Sequence, residues 1–228
     1  MARPIDVFDS ISPESVFPLC ITFDKLLNKA RSRDEQSVYS QDRVPNMSKL
    51  VTISGCSGGG KSTLLEELAR RGYPVVKEPG RRIVLEEEQN DGIALPWISP
   101  EAFAKRAIEV SIADMKLWPE PKSWVFFDRG LIDACSALAS TTGQSTKNYL
   151  ENQPRYHNVV FLTPPWREIY VTDEQRKHPF SEARKEYDRL LQAFPQAGYE
   201  VSVLDKTSVS QRADFVLAQL EVSAPSNV

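Results

Sequence analysis

Gly55-Cys56-Ser57-Gly58-Gly59-Gly60-Lys61-Ser62-Thr63 is the stretch from which the rest of the chain can be read. From Gly55 to Ser62 it fits G-x-x-x-x-G-K-[ST] at every fixed position. The segment before it, Leu50-Val51-Thr52-Ile53-Ser54, is apolar and β-branched and suits a strand buried on both faces. The segment after it, STLLEELARRG, has helical periodicity and closes on Gly72. A strand, a glycine-rich turn and a helix in that order form a phosphate-binding loop. Its glycines leave room for successive backbone N–H groups to curl around phosphate oxygens, and the helix adds the positive end of its dipole. Lys61 is expected to contact the β and γ phosphates of a nucleotide and the Ser62 hydroxyl to join a magnesium shell. A turn that merely connected strand to helix would require neither lysine nor hydroxyl there.

Working outward, strands and helices alternate. PVVKE (74–78) reads as a second strand, RRIVLEEEQ (81–89) as a helix, and Ser99-Pro100 as the cap of a helix running from Glu101 to about Trp118, where Pro119 stops it. WVFFD (124–128), VVFLT (159–163) and YEVSVLD (199–205) read as further strands. LIDACSALAS (131–140), SEARKEYDRLLQAF (181–194) and SQRADFVLAQL (210–220) read as helices. The pattern predicts an α/β fold with a parallel sheet covered on both faces, in one three-layer domain over residues 48–224. Residues 1–47 differ in composition. A short helix is expected over Ile21–Ala30, followed by the polar run RSRDEQSVYSQDRVPN, and Met47 stands just before the first strand. This part is expected to be an N-terminal extension, either a disordered arm or a non-native piece ahead of a start at Met47.

Composition narrows the function classes. Of the 228 residues, 41% are hydrophobic and 26% charged, no apolar run reaches the length of a bilayer span, and no signal-peptide pattern is present, so a protein of the reducing cytoplasm is expected. A net charge of −3 and a pI near 5.6 argue against a nucleic-acid partner. Cys20, Cys56 and Cys135, with His157 and His178 far apart, indicate neither a disulfide framework nor a zinc site.

Several further residues are candidates beside the loop. Asp128 ends an apolar strand at the carboxyl edge of the sheet, where it can hold magnesium or accept a proton from an attacking hydroxyl; its structural alternative is a helix N-cap. Arg129 can clamp a phosphate or form a surface ion pair. Glu78 is a second candidate base or a solvated strand-end charge, and Arg81 and Arg82 after Pro79-Gly80 can face a substrate or, as expected for an arginine pair opening a helix, be solvated. The connection PPWREIYVTDEQRKHPF (164–180), with Arg167, Arg176, Lys177 and His178, has the make-up of a lid over a polyphosphate, or of a solvated loop in which Thr172 and Gln175 cap a short helix. Cys56 is read as a small tolerated residue, with a reactive thiolate at the helix start as the alternative. Trp97, Trp118, Trp124 and Trp166 are read as core or shielding residues, and the two histidines as ordinary polar residues.

With Gly55–Thr63, KEPGRRI (77–83), FFDRGLIDA (126–134) and PPWREIYVTDEQR (164–176) in this order, residues 48–222 resemble the bacterial NadR-like AAA-type predicted ATPase family. They are also similar to thymidylate and deoxynucleoside kinases, whose E-P segment, acidic–Arg pair and lid arginine correspond to Glu78-Pro79-Gly80, Asp128-Arg129 and Arg176. The resemblance implies a five-stranded sheet in the order 2-3-1-4-5. Two departures narrow it. Ring-forming motors pair acidic residues where this chain has Asp128-Arg129, and the guanine-reading N-K-x-D segment is missing, so ATP is favoured over GTP. The expected function is phosphoryl transfer from magnesium ATP to a small acceptor of unassigned identity, or ATP hydrolysis, with Lys61, Asp128, Arg129, Arg176 and Glu78 as catalytic candidates. Gly55 through Thr63 hold the nucleotide, and Ser62 and Asp128 the metal. The alternative is a nucleotide-dependent switch that recruits a partner with little turnover.

Overall fold

The computed structural model describes residues 48–170 and 180–222. The readings made over residues 1–47 and over 171–179, which include Thr172, Gln175, Arg176, Lys177 and His178, lie outside them.

Among the described residues, strands β1 (Leu50–Gly55), β2 (Val75–Val76), β3 (Val125–Asp128), β4 (Val159–Thr163) and β5 (Glu200–Val203) form one sheet. All its pairs are parallel and its order is β2-β3-β1-β4-β5. The helices are α1 (Lys61–Arg70), α2 (Pro79–Gln89), α3 (Pro100–Lys116), α4 (Leu131–Thr142), α5 (Phe180–Gln196) and α6 (Val209–Val222). Since side chains alternate across a strand, each central strand feeds two cores. Val125, Phe127, Val160 and Leu162 face one layer with Ile83, Ile108, Met115, Leu138, Leu190 and Phe194, which come from α2, α3, α4 and α5. Val51, Ile53, Phe126 and Phe161 face the other with Leu64, Leu68, Ala213, Val216 and Leu220, from α1 and α6. This is the expected three-layer α/β fold. Phe126 and Phe161 have no exposed surface, and truncating either to alanine should cost about 3–5 kcal/mol.

The helix boundaries follow their caps. Ser99 accepts a hydrogen bond from Ala102 N at 3.4 Å with Pro100 behind it, so α3 starts where a hydroxyl and a proline place it. The second strand is shorter than PVVKE because Pro79 opens α2 directly after it, with Glu78 as N-cap. Three expectations need correction. Trp97 is 63% exposed and is not part of either core. His157 is buried, accepts a hydrogen bond from Val159 N at 3.1 Å and meets Trp124 edge-on. Arg82 is not simply solvated: its Nη1 donates to Asp114 on α3 at 3.1 Å, and that carboxylate is buried.

No described helix is long and apolar enough to cross a membrane.

The register aligns Ile53 with Asp128 and Gly55 with Thr163. The carboxyl ends of β1, β3 and β4 therefore share one edge, where the loop, the Asp128-Arg129 pair and the chain after Thr163 meet.

Candidate functional site

The loop from Gly55 to Lys61 turns from β1 into α1 through Gly60, whose φ of 77° lies in the left-handed region that favours glycine. No side chain caps α1, so its first N–H groups keep the unmet donors from which an anion site is made. Lys61 is buried. Its Nζ donates to Gly55 O at 3.0 Å and Cys56 O at 2.7 Å. Burial lowers its pKa, as does Arg129, against the opposing fields of Asp128, Glu78 and Glu186. Ser62 is half-buried beside it and Thr63 is exposed, its hydroxyl donating to Gly60 O at 3.0 Å. Cys56 is fully buried and burial raises its thiol pKa in spite of Lys61, which runs against the reactive-thiolate alternative.

Asp128 is buried at the end of β3, and its Oδ1 has no hydrogen-bond partner. Burial raises its pKa, with Glu78 adding to the effect and Lys61, Arg129 and Arg81 opposing it. It does not cap α4. That work falls to Asp133, whose Oδ2 accepts from Gly130 N at 3.1 Å while Oδ1 accepts from the Ser54 hydroxyl. Burial pushes the Asp133 carboxyl up to about 6, the Arg129 charge and the Ser54 hydrogen bond holding it back.

Arg129 is no surface ion pair. Its backbone is left-handed, with φ 62°, and its side chain is 15% exposed. Its Nη1 lies 2.7 Å from Glu186 Oε1 and 3.5 Å from Asp133 Oδ1; its Nε lies 3.2 Å from Glu78 Oε1, an ion pair without hydrogen-bond alignment. Burial works against its charge, but Glu186, Glu78 and Asp133 more than offset that and raise its pKa well above the ordinary value. Glu186 would itself be raised by burial, yet Arg129 first and Lys61 further hold it below the ordinary carboxylate range. Glu78 also accepts from Arg81 Nε at 3.0 Å. Among the predicted residues the structure thus links Glu78 directly to Arg129 and places both within the fields acting on Lys61 and Asp128.

Asp133, Glu186 and Ser54 were not among the candidates. Neither was Arg212 of α6, whose guanidinium donates to Gly59 O at 3.2 Å and Gly60 O at 3.5 Å behind the loop and lies 5.9 Å from the Trp166 ring. Arg167 stacks over Phe180 at 5.8 Å.

Among the described residues no group of three or more His, Cys, Asp or Glu could hold a metal ion by itself. Magnesium asks for less, since beside a nucleotide it takes one or two protein ligands plus phosphate oxygens and waters. The orphaned carboxylate oxygen of Asp128 and the Ser62 hydroxyl have the right donor chemistry for that role.

A nucleotide loop at the carboxyl edge of a 2-3-1-4-5 sheet defines a P-loop NTPase of kinase-like topology. The chain belongs to the family described as AAA domain, whose model matches residues 50–212. Three of the similar solved structures illustrate the likeness. The NadR protein in complex with NR has a TM-score of 0.57 at 21% identity, covering 88% of this chain and 59% of that one. Deoxyadenosine kinase from M. mycoides with bound dATP has a TM-score of 0.54 at 15% identity, covering 75% and 99%. Thymidylate kinase from Ehrlichia chaffeensis has a TM-score of 0.50 at 15% identity, covering 75% and 97%. At these identities the likeness is one of fold. No curated protein matches the sequence.

Proposed function

We propose that this chain transfers the terminal phosphoryl group of magnesium ATP to a hydroxyl of a small acceptor. The observation that carries the proposal is the buried, unpartnered carboxylate oxygen of Asp128 at the same sheet edge as the Lys61 loop. In the reaction the acceptor oxygen bonds to the γ-phosphorus as the bond to the β–γ bridging oxygen breaks. ADP leaves, and the hydroxyl proton passes to Asp128 or Glu78. Magnesium, held by Ser62 and Asp128, would neutralise phosphate charge. Lys61 steers the phosphates, and Arg176 is assigned the charge of the transferring group from its place in the sequence. Arg129 orients Glu78 rather than touching phosphate, because three carboxylates already hold its guanidinium. The domain that does this is residues 48–224, and ATP is preferred to GTP in the absence of an N-K-x-D segment.

The acceptor side favours an unphosphorylated compound. Arg81, Arg82 and Arg129 are each paired with a carboxylate of the chain, which leaves none of the three uncommitted for an acceptor phosphate. The similar structures carry NR, dATP or a thymidylate-kinase name, so the test is a panel of nucleosides, nucleoside monophosphates, sugars and pyridine ribosides scored for acceptor-dependent ATP consumption. A kinase consumes ATP much faster with its acceptor than without. Tight ATP binding with slow hydrolysis indifferent to every acceptor would instead establish the switch, and acceptor-independent turnover an ATPase.

A further inference from the structure

Arg212 and Arg129 are both buried guanidinium groups, and their surroundings are opposite. Arg129 is held by three carboxylates. Arg212, at 3% exposure, has no ion-pair partner among the described residues. Its Nε has no hydrogen-bond partner, and burial lowers its pKa. A cation removed from water without a counter-charge is costly unless something else in the site uses it.

Its side-chain hydrogen bonds are with the loop. The guanidinium donates to Gly59 O and Gly60 O. In a trans peptide the N–H points away from the C=O, so the same two peptide units present the N–H groups of Gly60 and Lys61 on the face opposite the guanidinium. Those are amides of the loop that cradles phosphates. A cation on the carbonyl side fixes the tilt of both peptides and polarises them, strengthening the N–H groups as donors. Trp166 shields the guanidinium from water at 5.9 Å, which keeps the charge effective.

We infer that Arg212 is a positioning residue for the nucleotide, a cation buried behind the loop whose missing counter-charge is the polyphosphate on the other side of the Gly59 and Gly60 peptides. It acts through those peptides and touches no reacting atom. The inference rests on the nucleotide-binding reading of the loop and needs no acceptor.

Two variants test it, each through ATP, ADP and AMP affinity measured by calorimetry and through melting without nucleotide. Arg212→Met keeps most of the packing and removes the charge; Arg212→Gln keeps a donor for a carbonyl and also removes the charge. Hydrogen bonds to charged groups are strong enough that ATP and ADP affinity should fall by roughly 10- to 100-fold in both. AMP should lose less. Melting without nucleotide should stay level or rise, because a buried uncompensated charge has gone. A residue with a merely structural role would give the reverse, a lower melting temperature with unchanged affinity of the folded protein, and that result would overturn the inference. Should the Met variant fail to fold, wild-type affinity in the Gln variant overturns it equally. Wild-type protein that binds no ATP sinks the nucleotide reading itself, whereas wild-type binding with undiminished binding by the variants sinks this inference alone.

Discussion

Glu186 Oε1 lies 2.7 Å from Arg129 Nη1, so helix α5 is fastened to the residue that leaves strand β3, through a charge that also holds Glu78 and Asp133. Removing the arginine would leave three carboxylates competing for little space. Breaking a buried ion pair from one side costs about 3–5 kcal/mol, and in a chain of this size each kcal/mol moves melting by about 2–4 °C. Arg129→Met should therefore melt roughly 10 °C lower by calorimetry, and adding Glu186→Gln should recover part of the loss. A single variant melting with wild type would show that the network carries no stability.

Asp133 sets a pH dependence of unusual sign. Its folded-state pKa stands near 6 against 3.8 for the free side chain, so the folded protein binds the proton more tightly than the unfolded one. The stabilisation this brings is complete below about pH 4 and is lost as pH rises through about 6. A shift of that size corresponds to about 3 kcal/mol. Asp133→Asn keeps an oxygen to accept from Gly130 N, reverses the other bond so that its amide donates to the Ser54 hydroxyl, and does not titrate, so relative to wild type it should gain stability between about pH 4.5 and about pH 7.5. An equal stability difference at both ends would mean that Asp133 stays ionised throughout.

Magnesium ATP should stabilise the fold through the Lys61 loop. At about one hundred times its dissociation constant a ligand adds about 2.7 kcal/mol, a melting shift on the order of 5 to 11 °C here. Lys61→Ala should abolish most of that shift. The same shift in the mutant would remove Lys61 from the site.

Asp128→Asn keeps the shape of the side chain and removes its charge. Nucleotide affinity should survive while acceptor-dependent turnover falls at least about a hundredfold, the low end for a lost acid–base group. Retained turnover would transfer the proton-accepting role to Glu78.

Sequence and structure agree most closely where local chemistry is self-sufficient. VVFLT is β4 residue for residue because its alternating side chains fill both cores, and Ser99-Pro100 states the start of α3 outright. The edge strands fell short of their expected runs: β2 keeps only Val75–Val76, with Pro79 opening α2 three residues later, and β5 ends at Val203. The loop was legible because its spacing is its function. The residues that organise it were hidden inside helices, although a signal existed. Glu186 falls on the buried stripe of α5 between Ala183 and Leu190, and Arg212 on that of α6 with Ala213, Val216 and Leu220. A charge on an apolar face is rare without a partner, and each of these points at the site. Asp133, three residues beyond Gly130, has capping spacing. What no periodicity reveals is that Arg129, Glu78 and Glu186 meet, because they come from three segments that only the sheet order brings together.

Thr163 at the end of β4 has a kinetic consequence. Its Oγ1 donates to Ser54 O at 3.2 Å, and a Cβ at Gly59 would stand only 2.5 Å from that same Oγ1. One threonine thus wedges between the strand that enters the loop and the loop's own crest. A loop pinned at that depth is expected to hold its shape before a ligand arrives. Nucleotide association should then follow a single concentration-proportional phase in stopped flow, without the plateau that a slow opening step imposes. The amides of the loop should resist deuterium exchange before any nucleotide is added, and Thr163→Ala should speed their exchange while leaving that of α3 unchanged.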